Sequence, residues 1–259
     1  MPHVTIEGCR LQYRLEGPAK AQVLLLSNSL GTDMGLWEAQ VAAFTARFRV
    51  LRYDSRGHGG SDAPPGPYTI DRLGRDALGL LDALGIDRAH VCGVSKGGMV
   101  GMWLGRQAVD RVRRLVLCNT SARMEPASAW DDRIRAVQAG GMAAVVDAVL
   151  ARWFTPAFRE SRPDAVEPVR RMLLATPPEG YAACCAAIRD MDQRETIRGI
   201  RAPALVVVGE HDPATPPAHG RLIADRIAGA RLVSLPAAHL SNVEAAPAFN
   251  EAVLDFLSD

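Results

Sequence analysis

Ala89-His90-Val91-Cys92-Gly93-Val94-Ser95-Lys96-Gly97-Gly98-Met99 decides how the rest of the chain is read. The run Ala89 to Cys92 is short and apolar, the mark of a strand buried on both faces. Helical spacing follows at Met99, Trp103 and Leu104. Gly93 to Gly97 between them is G-x-S-x-G, so the chain turns sharply from strand to helix and the glycines relieve the crowding of the turn. Ser95 at its apex is the candidate nucleophile, and the helix N-terminus behind it favours developing negative charge. The plainer reading is a glycine-rich turn with a solvated serine. It has no need of a strand before and a helix after, and both are present.

Outward from this turn, apolar runs recur at Leu11 to Leu15, Val23 to Leu26, Val50 to Tyr53, Leu115 to Cys118, Ala204 to Val208 and Arg231 to Leu235. Helical faces lie between several of them, as in Leu73, Ala77, Leu80, Leu81 and Leu84, and again at Phe249, Val253, Phe256 and Leu257. Strands alternating with amphipathic helices predict an α/β fold with a mostly parallel sheet of about eight strands covered on both faces. The first two runs, close in sequence, read as an antiparallel start. One connection is too long for this scheme: 85 residues separate Cys118 from Ala204, against roughly 30 for a whole strand-helix-strand unit. The excess has helical periodicity, bulky side chains (Trp130, Trp153, Phe154, Tyr181) and punctuation at Pro156, Pro163, Pro177 and Pro178. It predicts a helical lid over 120–197, inserted into a core formed by 1–119 and 198–259.

A serine is a weak nucleophile until a base, oriented by a third group, takes its proton. Asp212 follows the run Ala204 to Val208 and His239 follows the run Arg231 to Leu235, both at strand C-terminal ends, where open α/β sheets bind ligands. The order Ser95, Asp212, His239 is that of the α/β-hydrolase triad. Glu210 competes for the acid role but directly follows the strand's terminal glycine and reads as a turn residue. His211 and His219 read as loop histidines, and His58, in Asp54-Ser55-Arg56-Gly57-His58-Gly59, as loop packing with a possible approach to the pocket. Two main-chain donors for a tetrahedral oxyanion are expected, Lys96 N–H after the nucleophile and Leu30 N–H in Ser27-Asn28-Ser29-Leu30-Gly31. The Lys96 side chain is then incidental, or else it attracts an anion or pairs with an acid.

Bulk properties remove whole classes of function. With 48% hydrophobic and 23% charged residues the chain is an ordinary globular protein. A formal net charge of +1 and the lack of a basic stripe argue against a nucleic-acid partner. No apolar stretch of about 20 residues argues for a membrane span or leader, so a cytoplasmic location is expected. Five scattered cysteines (Cys9, Cys92, Cys118, Cys184, Cys185) lack metal-ligand spacing and read as reduced, mostly buried thiols.

Beyond the triad, the chain resembles the 3-oxoadipate enol-lactonases over nearly its whole length. The resemblance rests on Asn28-Ser29-Leu30-Gly31-Thr32-Asp33 with Trp37, Arg52-Tyr53-Asp54-Ser55-Arg56-Gly57-His58-Gly59, and Pro64-Pro65-Gly66-Pro67-Tyr68. It continues in Leu117-Cys118-Asn119-Thr120, Trp153-Phe154-Thr155, Ala175-Thr176-Pro177-Pro178-Glu179-Gly180-Tyr181 and Ala238-His239-Leu240-Ser241-Asn242. Lys96 departs from it, standing where the family more often carries Met or another apolar residue. The resemblance implies the α/β-hydrolase fold and hydrolysis of a small anionic enol-lactone to 3-oxoadipate through an acyl-enzyme, with neither metal nor organic cofactor. An anionic substrate calls for a cation, and Arg133, one helical turn after Trp130, is the first candidate, with Trp130 as pocket wall or lid core. The same triad serves carboxylesterases, carbon-carbon bond hydrolases and perhydrolases, and a hydrolase fold can also serve as a ligand receptor. Val94 before the nucleophile, where the carbon-carbon hydrolases usually carry Asn, weighs against that group.

Overall fold

A computed structural model of the chain describes residues 1–258. Its eight-stranded sheet has the order β1-β2-β4-β3-β5-β6-β7-β8. The strands are β1 (His3–Ile6), β2 (Cys9–Glu16), β3 (Val23–Ser27), β4 (Arg49–Tyr53), β5 (Ala89–Val94), β6 (Val112–Cys118), β7 (Ala204–Gly209) and β8 (Arg231–Leu235). From β4 to β8 every neighbour pair is parallel. Strands β3, β5 and β7 are buried at every position, which requires cover on both faces and explains their unbroken apolar runs.

The antiparallel start differs from the expectation. β2 pairs with β1 on one side and β4 on the other, and never with β3. β3 has no water-facing side and belongs in the sheet interior, whereas β2 buries only Cys9 and Leu11, leaves its other residues partly or fully exposed, and suits the margin. The short, half-exposed β1 offers no apolar run and escapes a reading based on such runs.

Helices α1 (Glu38–Thr45), α2 (Ile70–Ala83) and α3 (Lys96–Gln107) follow β3, β4 and β5. In α2 the cap is Thr69, whose hydroxyl accepts from Arg72 N–H, and the buried stripe is Leu73, Ala77, Leu80 and Leu81. Between β6 and β7 stand α4 (Ala127–Gly140), α5 (Val146–Trp153), α6 (Pro156–Ser161), α7 (Pro163–Ala175) and α8 (Pro178–Asp190). Three of these open with the prolines noted above, at the first turn where a missing N–H costs nothing. The chain ends with α9 (Pro217–Arg226), α10 (Ser241–Glu244) and α11 (Ala246–Ser258). All five cysteines are buried and free. No helix among the described residues is long and apolar enough to cross a membrane.

Candidate active site

Ser95 occupies the turn between β5 and α3 with φ 56° and ψ −116°, a conformation L-residues rarely adopt. Two glycines make that turn possible. A Cβ on Gly93 would lie 2.2 Å from Gly97 O, and one on Gly97 would lie 1.9 Å from Ser27 O at the end of β3. Neighbouring strand ends hold the turn: Ser95 N–H donates to Cys118 O (2.9 Å), and Thr120 Oγ1 donates to Ser95 O (2.7 Å).

The β7 and β8 loops bring two more side chains to this point. His239 Nε2 lies 2.9 Å from Ser95 Oγ, and His239 Nδ1 lies 2.8 Å from Asp212 Oδ2. A carboxylate can only accept, so Nδ1 carries the proton and Nε2 is left as the acceptor for the serine hydroxyl. Asp212 also accepts from Ala214 N–H, Thr215 N–H, Thr215 Oγ1 and Asn119 Nδ2. Burial alone would raise its pKa, but the adjoining His239 and the donors of Thr215 bring it down to about 2. Asn119, at φ 44°, ties the strand ends together by donating also to Ala238 O and accepting from Ser241 Oγ (2.5 Å). Trp153 lies against the imidazole with ring centroids 6.0 Å apart. Glu210 is exposed at the β7 end while Asp212 is the carboxylate bonded to His239, and His211 is exposed as well.

Ser95 and His239 open into a small cavity walled by Leu30, Met99, Met124, Trp130, Trp153 and Ile188, with Ala214 and Thr215 beside the acid. The N–H groups of Leu30 and Lys96 donate to no protein acceptor among the described residues, leaving both free for a ligand oxygen. Arg133 lines the cavity with its guanidinium 4.7 Å from the centre of the Trp130 ring. Arg152, which sequence reasoning missed, lines it from α5. Neither arginine has an acidic partner among the described residues, whereas Arg135, Arg170 and Arg189 nearby are all paired. Burial and the charge of Arg133 lower the pKa of Arg152. Tyr181 is buried beside them, close enough to feel both charges. The one available signal for Arg152 was its place directly before the Trp153-Phe154-Thr155 segment.

The Lys96 side chain is elsewhere. It is 1% exposed, takes no part in lining the cavity, and its Nζ has no hydrogen-bond partner. Burial lowers its pKa, and its charge is felt by His58. The alternatives of an anion lure or an ion pair are therefore set aside. No group of three or more His, Cys, Asp or Glu side chains among the described residues is arranged to hold a metal.

Comparison with known proteins places these features in context. Residues 22–246 match the sequence profile of the α/β-hydrolase fold. The chain is 40% identical to 3-oxoadipate enol-lactonase 2 of Acinetobacter baylyi over 250 residues, covering 96% of this chain and 94% of that one. It is 35% identical to a Caulobacter protein assigned as the carbamate hydrolase RutD, over 93% of each. Among solved structures, the enol-lactonase from Burkholderia xenovorans superposes with a TM-score of 0.98 at 48% identity, covering all of both chains.

Proposed function

Since the chain belongs to the α/β-hydrolase family and is a relative of its 3-oxoadipate enol-lactonases, we propose that it opens 3-oxoadipate enol-lactone to 3-oxoadipate through an acyl-enzyme on Ser95. Ser95 Oγ attacks the lactone carbonyl as His239 Nε2 takes its proton, and Asp212 holds the imidazole in the required tautomer. The N–H groups of Leu30 and Lys96 receive the oxyanion. Collapse breaks the ring C–O bond, and His239 returns the proton to the departing enol oxygen. The enol stays tethered in the acyl-enzyme and ketonises, which makes ring opening strongly downhill. Water, deprotonated by His239, then cleaves the ester to release the diacid and restore Ser95.

The observation that carries the substrate class is the pair Arg133 and Arg152, two cations without acids in the wall of the triad's cavity. A partly buried cation with no acid beside it keeps part of its desolvation cost uncompensated, and a carboxylate on the substrate supplies the acid that both lack. The apolar walls suit the ring and the arginines its carboxymethyl arm. The test is ultraviolet-monitored hydrolysis of freshly generated enol-lactone beside p-nitrophenyl acetate. A kcat/KM at least a hundredfold higher for the lactone is expected. A preference for the neutral ester, or for a carbamate, moves the chain to the general esterases or to the carbamate hydrolases.

A further inference from the structure

We propose that His58 is a positioning residue for the oxyanion loop, holding the backbone between Ser27 and Gly31 so that Leu30 N–H points at the reacting carbonyl. The inference rests on the reading of Leu30 N–H as an oxyanion donor. At its start this loop is pinned by Asn28, which donates to Tyr53 O (2.8 Å) and accepts from Trp37 Nε1 (2.8 Å). At its end Gly31 N–H donates to His58 Nε2 (2.8 Å). Leu30 N–H, between the two pins, has no protein acceptor. Gly31 has φ 76°, and a Cβ there would lie 2.7 Å from Leu173 and 3.0 Å from Tyr181, so at Gly31 the loop passes close under the inserted helices, with no room for a side chain. Thr176 Oγ1 lies 3.1 Å from Gly31 O and shares its proton with Met172 O.

Only one state of the imidazole satisfies these contacts. Gly31 N–H can only donate, so Nε2 must carry the lone pair. Nδ1 lies 3.1 Å from Arg56 O, which can only accept, so Nδ1 carries the proton. A second proton would set Nε2–H against Gly31 N–H. Burial and the nearby Lys96 charge act against it too. His58 is fully buried and has no part in lining the cavity, so it reaches the reaction only through the loop it holds. Its approach to the pocket is thus made through Gly31 and not by its own ring.

The experiment compares His58→Leu, which removes the acceptor, with His58→Gln, whose amide oxygen can reach the Nε2 position. Two quantities are read: kcat and KM for p-nitrophenyl acetate, and the affinity of phenylboronic acid, which adds to a serine oxygen to form a tetrahedral anion. A misplaced donor is expected to cost His58→Leu about 10- to 100-fold in kcat with KM within about threefold, below the 10² to 10³ for outright loss of a donor. Boronate affinity should fall by a similar factor, and His58→Gln should recover to within about fivefold of wild type. Equal impairment of both variants, or a loss carried by KM alone, overturns the proposal. Should neither variant fold, the wild-type ring is read by 15N NMR at pH 7: protonation at Nδ1 alone supports the assignment, and an Nε2–H or doubly protonated ring overturns it. Boronate binding by Ser95→Ala as tight as wild type removes the nucleophile reading itself, and the proposal with it. That result is distinct from any pattern among the His58 variants.

Discussion

Arg152→Met should separate recognition of the substrate's charge from the chemistry at Ser95. The change keeps an unbranched apolar stem on α5 and removes the cation. Arg152 is partly buried and shares the cavity wall with Arg133, with no acid between them. A charge-assisted hydrogen bond in such a place contributes about 1.5 to 3 kcal/mol, which at about 1.4 kcal/mol per decade is roughly 10- to 150-fold. kcat/KM for the enol-lactone should fall by that factor, while p-nitrophenyl acetate, which has no carboxylate to bind, should stay within about threefold of wild type. Stability should move the other way. Removing one of two like charges from a partly dry wall relieves repulsion and desolvation; a gain on the order of 1 kcal/mol raises Tm by about 2 to 4 °C in a chain of this size. Steady-state kinetics on both substrates and a thermal melt decide the matter. An arginine with a purely structural role gives a lower Tm and equal losses on both substrates, and a solvated one changes neither; either pattern refutes the reasoning. If Arg133 and Arg152 grip one carboxylate, Arg133→Met and the double variant should also give losses that fall short of additivity.

Ser95→Ala should cut lactone turnover by several orders of magnitude with little change in melting temperature, and retention of more than a few per cent of activity would contradict its role. Asp212→Asn, which favours the wrong imidazole tautomer, should lose on the order of 10⁴ in kcat, while exposed Glu210→Gln stays near wild type; the reverse ranking would move the acid to Glu210. His90 is buried, with Nε2 2.6 Å from Gln22 Oε1, and burial together with Arg113, Arg114 and Arg88 pushes its pKa down to about 4. The unfolded chain therefore binds this proton first. The stability tied to neutral His90 is intact above about pH 6.5 and is lost as pH falls towards 4, by about 2 kcal/mol at pH 4.5. Urea midpoints at pH 7 and 4.5 should show that loss shrinking in His90→Gln, and an equal loss in both proteins would reject it. Activity should survive prolonged treatment with EDTA, and inhibition reversed by added zinc would point to a metal instead.

The parts legible in the sequence were those whose physics is local. Strands buried on both faces must be apolar throughout, so β3, β5 and β7 announced themselves, as did the stripe of α2. The Ser95 turn was legible because its backbone angle and the closeness of Gly97 to Ser27 tolerate almost nothing but glycine around it. Asp212 and His239 followed from standing at strand ends in a fixed chain order. What escaped was non-local. The partner of β2 depended on which strand could face water, a property of the assembled sheet. Arg152 looked like any other arginine in a region full of them, since whether a cation has an acid beside it depends on residues far away in the chain. The same holds for His58, whose role rests on Gly31, 27 positions earlier. Strand, turn and helix are set by a residue and its near neighbours, so the sequence by itself determined the fold class and pointed to Ser95, Asp212 and His239, the three side chains that the fold brings within hydrogen-bond reach. Pairing of charges, tautomers and free N–H groups is set by distances across the folded core, so only the tertiary structure decided which cations face the cavity and which histidine accepts from Gly31 N–H.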